Sequence, residues 1–228
     1  MVNLSDFGRE KPFSGVIFDF NGTLFWDTAE HDKSWGLCMQ KYGVTVTPEM
    51  MFKQFHGKPN DLIIRELLGK ETPETVIQEI ITEKERIYQE VCLQRTMQLA
   101  PGAEELLDFL KENSVPFTVA TSAPAENIEF YFQHLNIGRW FQWEKIVYFD
   151  GKTPGKPNPE FYQRAMWMIA CSAEETVIFE DAPSGILAAE NAGCRNIVRV
   201  DSENVKNSPF SYPVIRDFGE VNREIFTK

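Results

Sequence analysis

Residues 15–24 read GVIFDFNGTL, an apolar run that passes into a turn carrying Asp19, Asn21 and Thr23. Short apolar runs rich in β-branched and aromatic residues are typical of strands buried on both faces. The run therefore predicts a buried strand over 15–20, with polar side chains at its carboxyl end. Ligands of open parallel sheets bind at the carboxyl ends of the strands, so this stretch is the first candidate for a functional site.

Four further runs of this kind follow, and helical patterns separate most of them. The apolar runs cover 116–121, 145–148, 176–180 and 195–200, and the helical patterns cover 102–113, 125–135, 159–169 and 184–192. Alternation of strand and helix predicts a parallel α/β sheet with helices on both faces.

Residues 28–96 break this alternation. The segment has two helix-start signals, Thr47-Pro48-Glu49 and Thr72-Pro73-Glu74, and glycines follow its helical runs. A capping hydroxyl, a proline in the first turn and an early acid favour helix initiation. No strand pattern occurs in the segment, so we predict an all-helical insertion after the first strand. The core then consists of residues 1–27 and 97–228.

The composition is that of an ordinary globular protein, with 228 residues of which 43% are hydrophobic. The formal net charge of -11 argues against a nucleic-acid or anionic-membrane binder, because no basic face offsets the acid. No apolar run approaches the ~20 residues that span a bilayer, and the first 13 residues lack the apolar core of a signal peptide. The four scattered cysteines predict reduced thiols, and we expect a cytoplasmic monomer or homodimer.

Several polar residues end the predicted strands. Asp19 follows the first strand, Thr121-Ser122 the second and Glu180-Asp181 the fourth, and Lys156 lies in the loop Gly155–Pro159. This set suits phosphoryl transfer, because an ionised aspartate can attack phosphorus and form an acyl phosphate. Acids from two strands can share Mg²⁺, which prefers oxygen ligands. A hydroxyl, turn amides and an ammonium can hold the other phosphate oxygens, with Gly22, Thr23 and Ser122 as further candidates.

The chain resembles the haloacid dehalogenase superfamily in four motifs, which occur in the order D-x-[DN]-G-T-L, a hydroxyl after the second strand, G-K-P-x-P and E-D-A-x-x-G. The helical insertion resembles the small cap of the β-phosphoglucomutase-like subfamily. The resemblance implies a Rossmann-like core and a helical cap over 28–96. It also implies Asp19 as nucleophile, Thr121 and Lys156 as phosphate ligands, and Mg²⁺ held by Asp19, Glu180, Asp181 and the backbone carbonyl of Asn21.

Asn21 departs from the family pattern, in which a second aspartate protonates the leaving group and later activates water. A carboxamide cannot exchange a proton near neutral pH. Three interpretations follow: the substrate has a good leaving group, another residue such as His31 supplies the proton, or the chain is slow. Under the third interpretation, the chain is a slow enzyme, a binding protein or a variant built to trap an intermediate.

The helical insertion holds the remaining candidates, His31, His56 and Lys58, as substrate contacts. By resemblance, a mutase acting on a sugar bisphosphate has an arginine near position 60, where this chain has Asn60. A metal-free dehalogenase and a phosphonoacetaldehyde hydrolase using Lys53 or Lys58 are minor alternatives. We therefore expect a Mg²⁺-dependent phosphatase of a small phosphorylated metabolite. The alternatives are a phosphate-binding regulatory protein and a phosphosugar mutase.

Overall fold

A computed structural model describes residues 1–202 and 209–227. These residues contain a six-stranded, wholly parallel sheet in the order β3-β2-β1-β4-β5-β6. The strands are β1 (Gly15–Phe18), β2 (Phe117–Pro124), β3 (Val147–Phe149), β4 (Thr176–Glu180), β5 (Ile197–Val200) and β6 (Val214–Ile215). The prediction of a parallel α/β sheet is confirmed.

Strand β1 lies in the interior of the sheet, between β2 and β4. Its side chains alternate between two apolar clusters: Val16 and Phe18 belong to one, and Ile17 to the other. Alternation of this kind requires apolar packing on both faces, which explains the continuous apolar run in the sequence. The strand ends at Phe18, two residues earlier than predicted, because the chain turns and the amides of Thr23 and Phe25 donate back to the carbonyl of Phe20.

Four helices of the core supply the two faces. They are α5 (Ala103–Glu112), α6 (Ala125–His134), α7 (Glu160–Met168) and α8 (Pro183–Asn191). Side chains of α5 and α6 join the cluster around Phe18, and those of α7 and α8 join the cluster around Ile17. Each helix lies within one or two residues of its predicted range.

The segment 28–96 is helical, as predicted, and no strand occurs in it. It contains α1 (Thr28–Gln40), α2 (Pro48–Met50) running into a π-helical turn (Met51–Phe55), α3 (Asn60–Leu68) and α4 (Glu74–Cys92). These helices enclose an apolar cluster of their own, including Trp35, Ile64 and Ile80. Within the described part of the chain, every helix is too short or too polar to cross a bilayer.

Candidate active site

The predicted nucleophile, lysine and acidic pair meet at the carboxyl edge of the sheet. Asp19 directly follows β1, Glu180 ends β4, and Lys156 lies in the loop before α7. The Lys156 ammonium donates to Asp19 Oδ1 at 2.6 Å and to Glu180 Oε1 at 2.8 Å. The Tyr162 hydroxyl, on the first turns of α7, contacts Lys156 Nζ at 3.0 Å and Glu180 Oε1 at 3.1 Å. A buried lysine is therefore fixed between two carboxylates from neighbouring strands.

Three carboxylates are crowded here. Oxygen atoms of Asp19, Glu180 and Asp181 lie within 4.8 Å of one another. Burial, with Glu180 adding to it and Lys156 opposing it, raises the pKa of Asp19 to about 7. Burial, Glu180 and Asp19 together raise the pKa of Asp181 well above its ordinary value. Burial opposes the charge of Lys156, but Asp19 and Glu180 raise the pKa of its ammonium above the usual value.

One ammonium cannot balance three carboxylates, and the raised pKa values of Asp19 and Asp181 reflect this excess of negative charge. A divalent cation with oxygen ligands would remove the repulsion, so the donor set fits Mg²⁺. Such a cation would favour the ionised form of Asp19.

The turn after Asp19 approaches Asp181 closely. The Thr23 hydroxyl donates to Asp181 Oδ1 at 2.9 Å. Gly22 has φ +78°, and a Cβ there would lie 2.3 Å from Asp181 Oδ2, so only glycine fits this position. Thr23 is fully buried and holds Asp181 in place.

Thr121 and Ser122, predicted to end the second strand, lie within β2, which continues to Pro124, and their hydroxyls take different positions. The Thr121 hydroxyl, buried at the cavity wall, accepts from the Ala123 amide at 3.1 Å and donates to Asn21 Oδ1 at 3.3 Å. The Ser122 hydroxyl donates to the carbonyl of Gly57 at 3.0 Å, so it joins the sheet edge to the helical segment.

Asn21 belongs to a closed ring of four hydrogen-bonded side chains. Its amide donates to Asp27 Oδ2 and to the Tyr131 hydroxyl, both at 2.6 Å. The Tyr131 and Tyr88 hydroxyls are 3.0 Å apart, and Tyr88 donates to Asp27. Burial raises the pKa of both tyrosines well above the usual value. A carboxamide completes this ring, whereas a carboxylate at position 21 would face Asp27 as a like charge.

His31 connects this ring to a buried ion pair. Its Nε2 lies 3.3 Å from Asp27, its Nδ1 lies 2.9 Å from Lys84 Nζ, and its ring stacks on Tyr88. Burial would raise the pKa of Asp27, but His31, Tyr88 and Asn21 hold it below the ordinary value. Both nitrogens of His31 therefore have protein partners.

The other predicted contacts of the helical segment also have partners. His56 Nε2 lies 2.9 Å from Asp32, and Lys58 lies 2.9 Å from Glu66. Both line the cavity. Lys53 lies on the surface, paired with Glu49, so of the two lysines named for the phosphonoacetaldehyde hydrolase alternative only Lys58 lines the cavity.

A cavity of about 100 Å³ separates the sheet edge from the helical segment. The core side of the cavity is lined by Asp19, Asn21, Thr121 and Asp181, and the helical segment forms the other side. Clefts lined by apolar side chains together with a few polar groups are typical sites for small ligands.

Sequence reasoning missed several residues of the site, namely Asp27, Asn60, Lys84, Glu85, Tyr88, Asn127, Tyr131 and Tyr162. One signal was present: Lys84 lies in the apolar stripe of α4, three to four residues from Ile80, Ile87 and Tyr88. A charged residue in an apolar stripe needs a buried partner. The two tyrosines of the ring looked like ordinary core residues, and no local pattern distinguishes them.

Comparison with known proteins agrees with this architecture. The family model for haloacid dehalogenase-like hydrolases matches residues 16–199. A phosphorylated carbohydrates phosphatase from Thermotoga maritima is 28% identical over 81% of this chain and 84% of its own. The structure of a HAD hydrolase of family IA, variant 3, from Entamoeba histolytica is 31% identical in sequence, with a TM-score of 0.80. The match covers 93% of this chain and 96% of that chain.

The fold is shared more widely. The structure of β-phosphoglucomutase from Clostridium difficile has a TM-score of 0.75 at 22% identity, over 93% of this chain and 94% of its own. The chain belongs to the haloacid dehalogenase-like hydrolases.

Proposed function

We propose that this chain is a Mg²⁺-dependent phosphatase of a small phosphorylated metabolite, with Asp19 as the nucleophile. The observation that carries the proposal is the convergence of Asp19, Glu180 and Asp181 at one wall of the cavity, with the buried Lys156 bonded to Asp19 and Glu180 behind them. The printed name of the Thermotoga maritima relative, a phosphatase of phosphorylated carbohydrates, supports the substrate class.

In the first step a carboxylate oxygen of Asp19 attacks phosphorus. The bond from phosphorus to the leaving oxygen breaks, and that oxygen departs with the bonding pair. In the second step water attacks the phosphoaspartate, inorganic phosphate forms, and the Asp19 carboxylate is regenerated. Lys156, fixed by Tyr162 and Glu180, holds Asp19 in position and offsets charge. Thr121, which lines the cavity, is proposed to bind a phosphate oxygen.

Asp19, Glu180, Asp181 and the carbonyl of Asn21 are the groups that would hold Mg²⁺. The ion supplies positive charge that reduces the repulsion between the carboxylate and the phosphate. Thr23 fixes Asp181 for this role through its hydroxyl.

Asn21 determines which leaving groups are tolerated. Its amide donates to Asp27 and Tyr131, and it has no proton to exchange. We therefore propose substrates whose leaving oxygen is weakly basic and takes its proton from water. General acid catalysis at this position would otherwise contribute about 10²–10⁴-fold.

The helical segment 28–96 is proposed to act as a cap that closes over the site and excludes water. It encloses its own apolar cluster and meets the core at the cavity, which supports its movement as a unit. A cytoplasmic monomer or homodimer stays the prediction from the sequence.

The test is phosphate release from acyl, aryl and alkyl phosphates, with and without Mg²⁺. We expect Mg²⁺-dependent release from acyl and aryl phosphates, and loss of it in Asp19→Asn. Glu129→Gln, a change at an exposed carboxylate, serves as the control. Release that continues unchanged in Asp19→Asn would overturn the proposal.

Two variants examine position 21. Asn21→Asp places a carboxylate against Asp27, whereas the double variant Asn21→Asp/Asp27→Asn exchanges the two side-chain types and keeps a single carboxylate in the ring. We expect the double variant to extend phosphate release to alkyl esters. If it does not, the missing acid is not what limits the leaving group.

A phosphate-binding protein with little turnover is the second candidate, and Asn21 is the observation that favours it. Thermal stabilisation by phosphate and Mg²⁺, without release from any substrate, would support this candidate over the phosphatase.

A further inference from the structure

Four basic side chains line the cavity, and each is already paired with a carboxylate. The pairs are His31 with Asp27 (3.3 Å), His56 with Asp32 (2.9 Å), Lys58 with Glu66 (2.9 Å) and Lys84 with Glu85 (2.9 Å). Among the lining residues that the structure describes, no basic side chain is left over for an anionic group of a ligand.

Apart from Asp27, Glu85 is the most buried of these four carboxylates. It is 6% exposed and lines the cavity. Its Oε1 accepts from Asn60 at 2.6 Å and from Lys84 at 2.9 Å, and its Oε2 accepts from Asn127 at 2.7 Å. Burial opposes ionisation, but Lys84, His31 and Asn127 hold the pKa of Glu85 below the ordinary value. The carboxylate is therefore charged at neutral pH.

The charge of Glu85 bears on which organic groups fit this part of the cavity. A second anionic group on the substrate would lose its hydration and meet a buried negative charge, with the nearest ammonium already neutralised by Glu85. Hydroxyl groups fit instead, because Glu85 Oε2 can accept from them, and the amides of Asn60 and Asn127 each use one of their two N–H groups on Glu85.

We infer that the site takes phosphate monoesters whose organic part is neutral and hydroxylated, and that Glu85 rejects substrates with a second anionic group. The inference rests on the proposed phosphatase function and narrows its substrate class. The phosphate itself would bind beside Asp19, Glu180 and Asp181, which come together at the edge of the sheet.

The test compares two aryl phosphates with matched leaving groups, 4-(2-hydroxyethyl)phenyl phosphate and 4-(carboxymethyl)phenyl phosphate. The first compound carries a hydroxyl group where the second carries a carboxylate. We expect kcat/KM to be at least about tenfold higher for the hydroxyl compound. In Glu85→Gln the ratio should fall toward one, because the charge is removed and Lys84 is released.

Two further variants protect the test against misfolding of Glu85→Gln. Glu66→Gln releases Lys58 at a partly exposed position and should also improve the carboxylate substrate. Glu79→Gln, at an exposed position of the same helix, should leave the ratio unchanged. Equal kcat/KM values for the two compounds in the wild-type chain, or an unchanged ratio in both Glu85→Gln and Glu66→Gln, would overturn the inference.

Binding separates this inference from the proposed function. Dissociation constants for the two corresponding phosphonates, measured by calorimetry with Mg²⁺, do not depend on turnover. Weaker binding of the carboxylate phosphonate supports charge discrimination even if no phosphate is released from any compound, in which case the phosphatase proposal alone fails. Equal binding overturns the inference, even where both phosphates are hydrolysed.

Discussion

At the scale of single residues, the ring of Asn21, Asp27, Tyr88 and Tyr131 holds a buried carboxylate close to Asp19. Asp27 is fully buried and accepts from Asn21, Tyr88 and the Gly22 amide. A buried carboxylate is stable only when such donors replace its hydration. Asn21 is therefore a structural partner of Asp27 as well as a residue of the cavity wall.

The ring predicts a particular pH dependence of stability. The pKa of Asp27 in the folded chain is below the ordinary value of 3.8, so its stabilising effect is complete above that pH. It is lost as the pH falls through the lowered value. We expect Asp27→Asn to reduce the free energy of unfolding by about 1–3 kcal/mol at pH 7.

Urea unfolding of both proteins between pH 7 and pH 3 checks this prediction. The difference between wild type and Asp27→Asn should shrink below about pH 4, because the variant has no group to titrate there. A difference that stays constant over this range would contradict the role given to the Asp27 charge.

At the scale of elements, the turn after β1 is the part of the fold with the least freedom. Gly22 and Gly43 both have positive φ, but a Cβ at Gly22 would overlap Asp181, whereas a Cβ at Gly43 meets nothing within 4 Å. An alanine at either glycine would strain the backbone, but only an alanine at position 22 would also displace Asp181. Comparing the two variants therefore distinguishes the two effects.

Gly22→Ala and Gly43→Ala should both reduce stability, by about 1–2 kcal/mol, because an L-residue is strained at these φ values. Only Gly22→Ala should reduce kcat/KM, by about 100-fold, since it displaces Asp181. Unfolding curves and Mg²⁺-dependent phosphate release measure the two effects. Comparable activity of the two variants would show that the close approach at Gly22 is unimportant.

Elements with a strong local pattern could be predicted from the sequence. The five longer strands follow from apolar runs, and the four core helices and the helical nature of 28–96 follow from helical patterns. Asp19 and Glu180 follow from their places at the ends of β1 and β4. Strand β6 was missed, because two residues, Val214 and Ile215, are too short for any period to show.

Side-chain partners could not be predicted in the same way. The contact of Asn21 with Tyr131 joins residues 110 positions apart, and that of Glu85 with Asn127 joins residues 42 apart. Such pairs depend on how helices dock, which a local pattern does not encode. The ring and the charge pairs therefore emerge only from the folded chain.

At the scale of the whole molecule, two core hydroxyls hold the helical segment against the sheet edge. Ser122 donates to the carbonyl of Gly57 at 3.0 Å, and Ser184 donates to the carbonyl of His56 at 2.9 Å. They thus bind consecutive carbonyls of one turn. A Cβ at Gly57 would lie 2.1 Å from Ser184 Oγ, so the contact is tight.

The double variant Ser122→Ala/Ser184→Ala should weaken this closed arrangement. Two hydrogen bonds contribute about 1–3 kcal/mol together, so opening should become about 5- to 150-fold more favourable. Hydrogen exchange in the turn at 55–58 should accelerate and KM should rise, whereas Ser5→Ala, at an exposed position, should change neither. Unchanged exchange in the double variant would show that other contacts hold the segment closed.

The position of β1 between β2 and β4 has a consequence for synthesis on the ribosome. Strand β4 begins at Thr176, so at about 5–20 residues per second roughly 8–32 s pass between translation of Phe18 and the start of β4. The helical segment is translated within that interval, and its helices can pack against one another because they share an apolar cluster. The nascent chain would thus build its helical segment before β1, the strand that leads into Asp19, acquires its second neighbour.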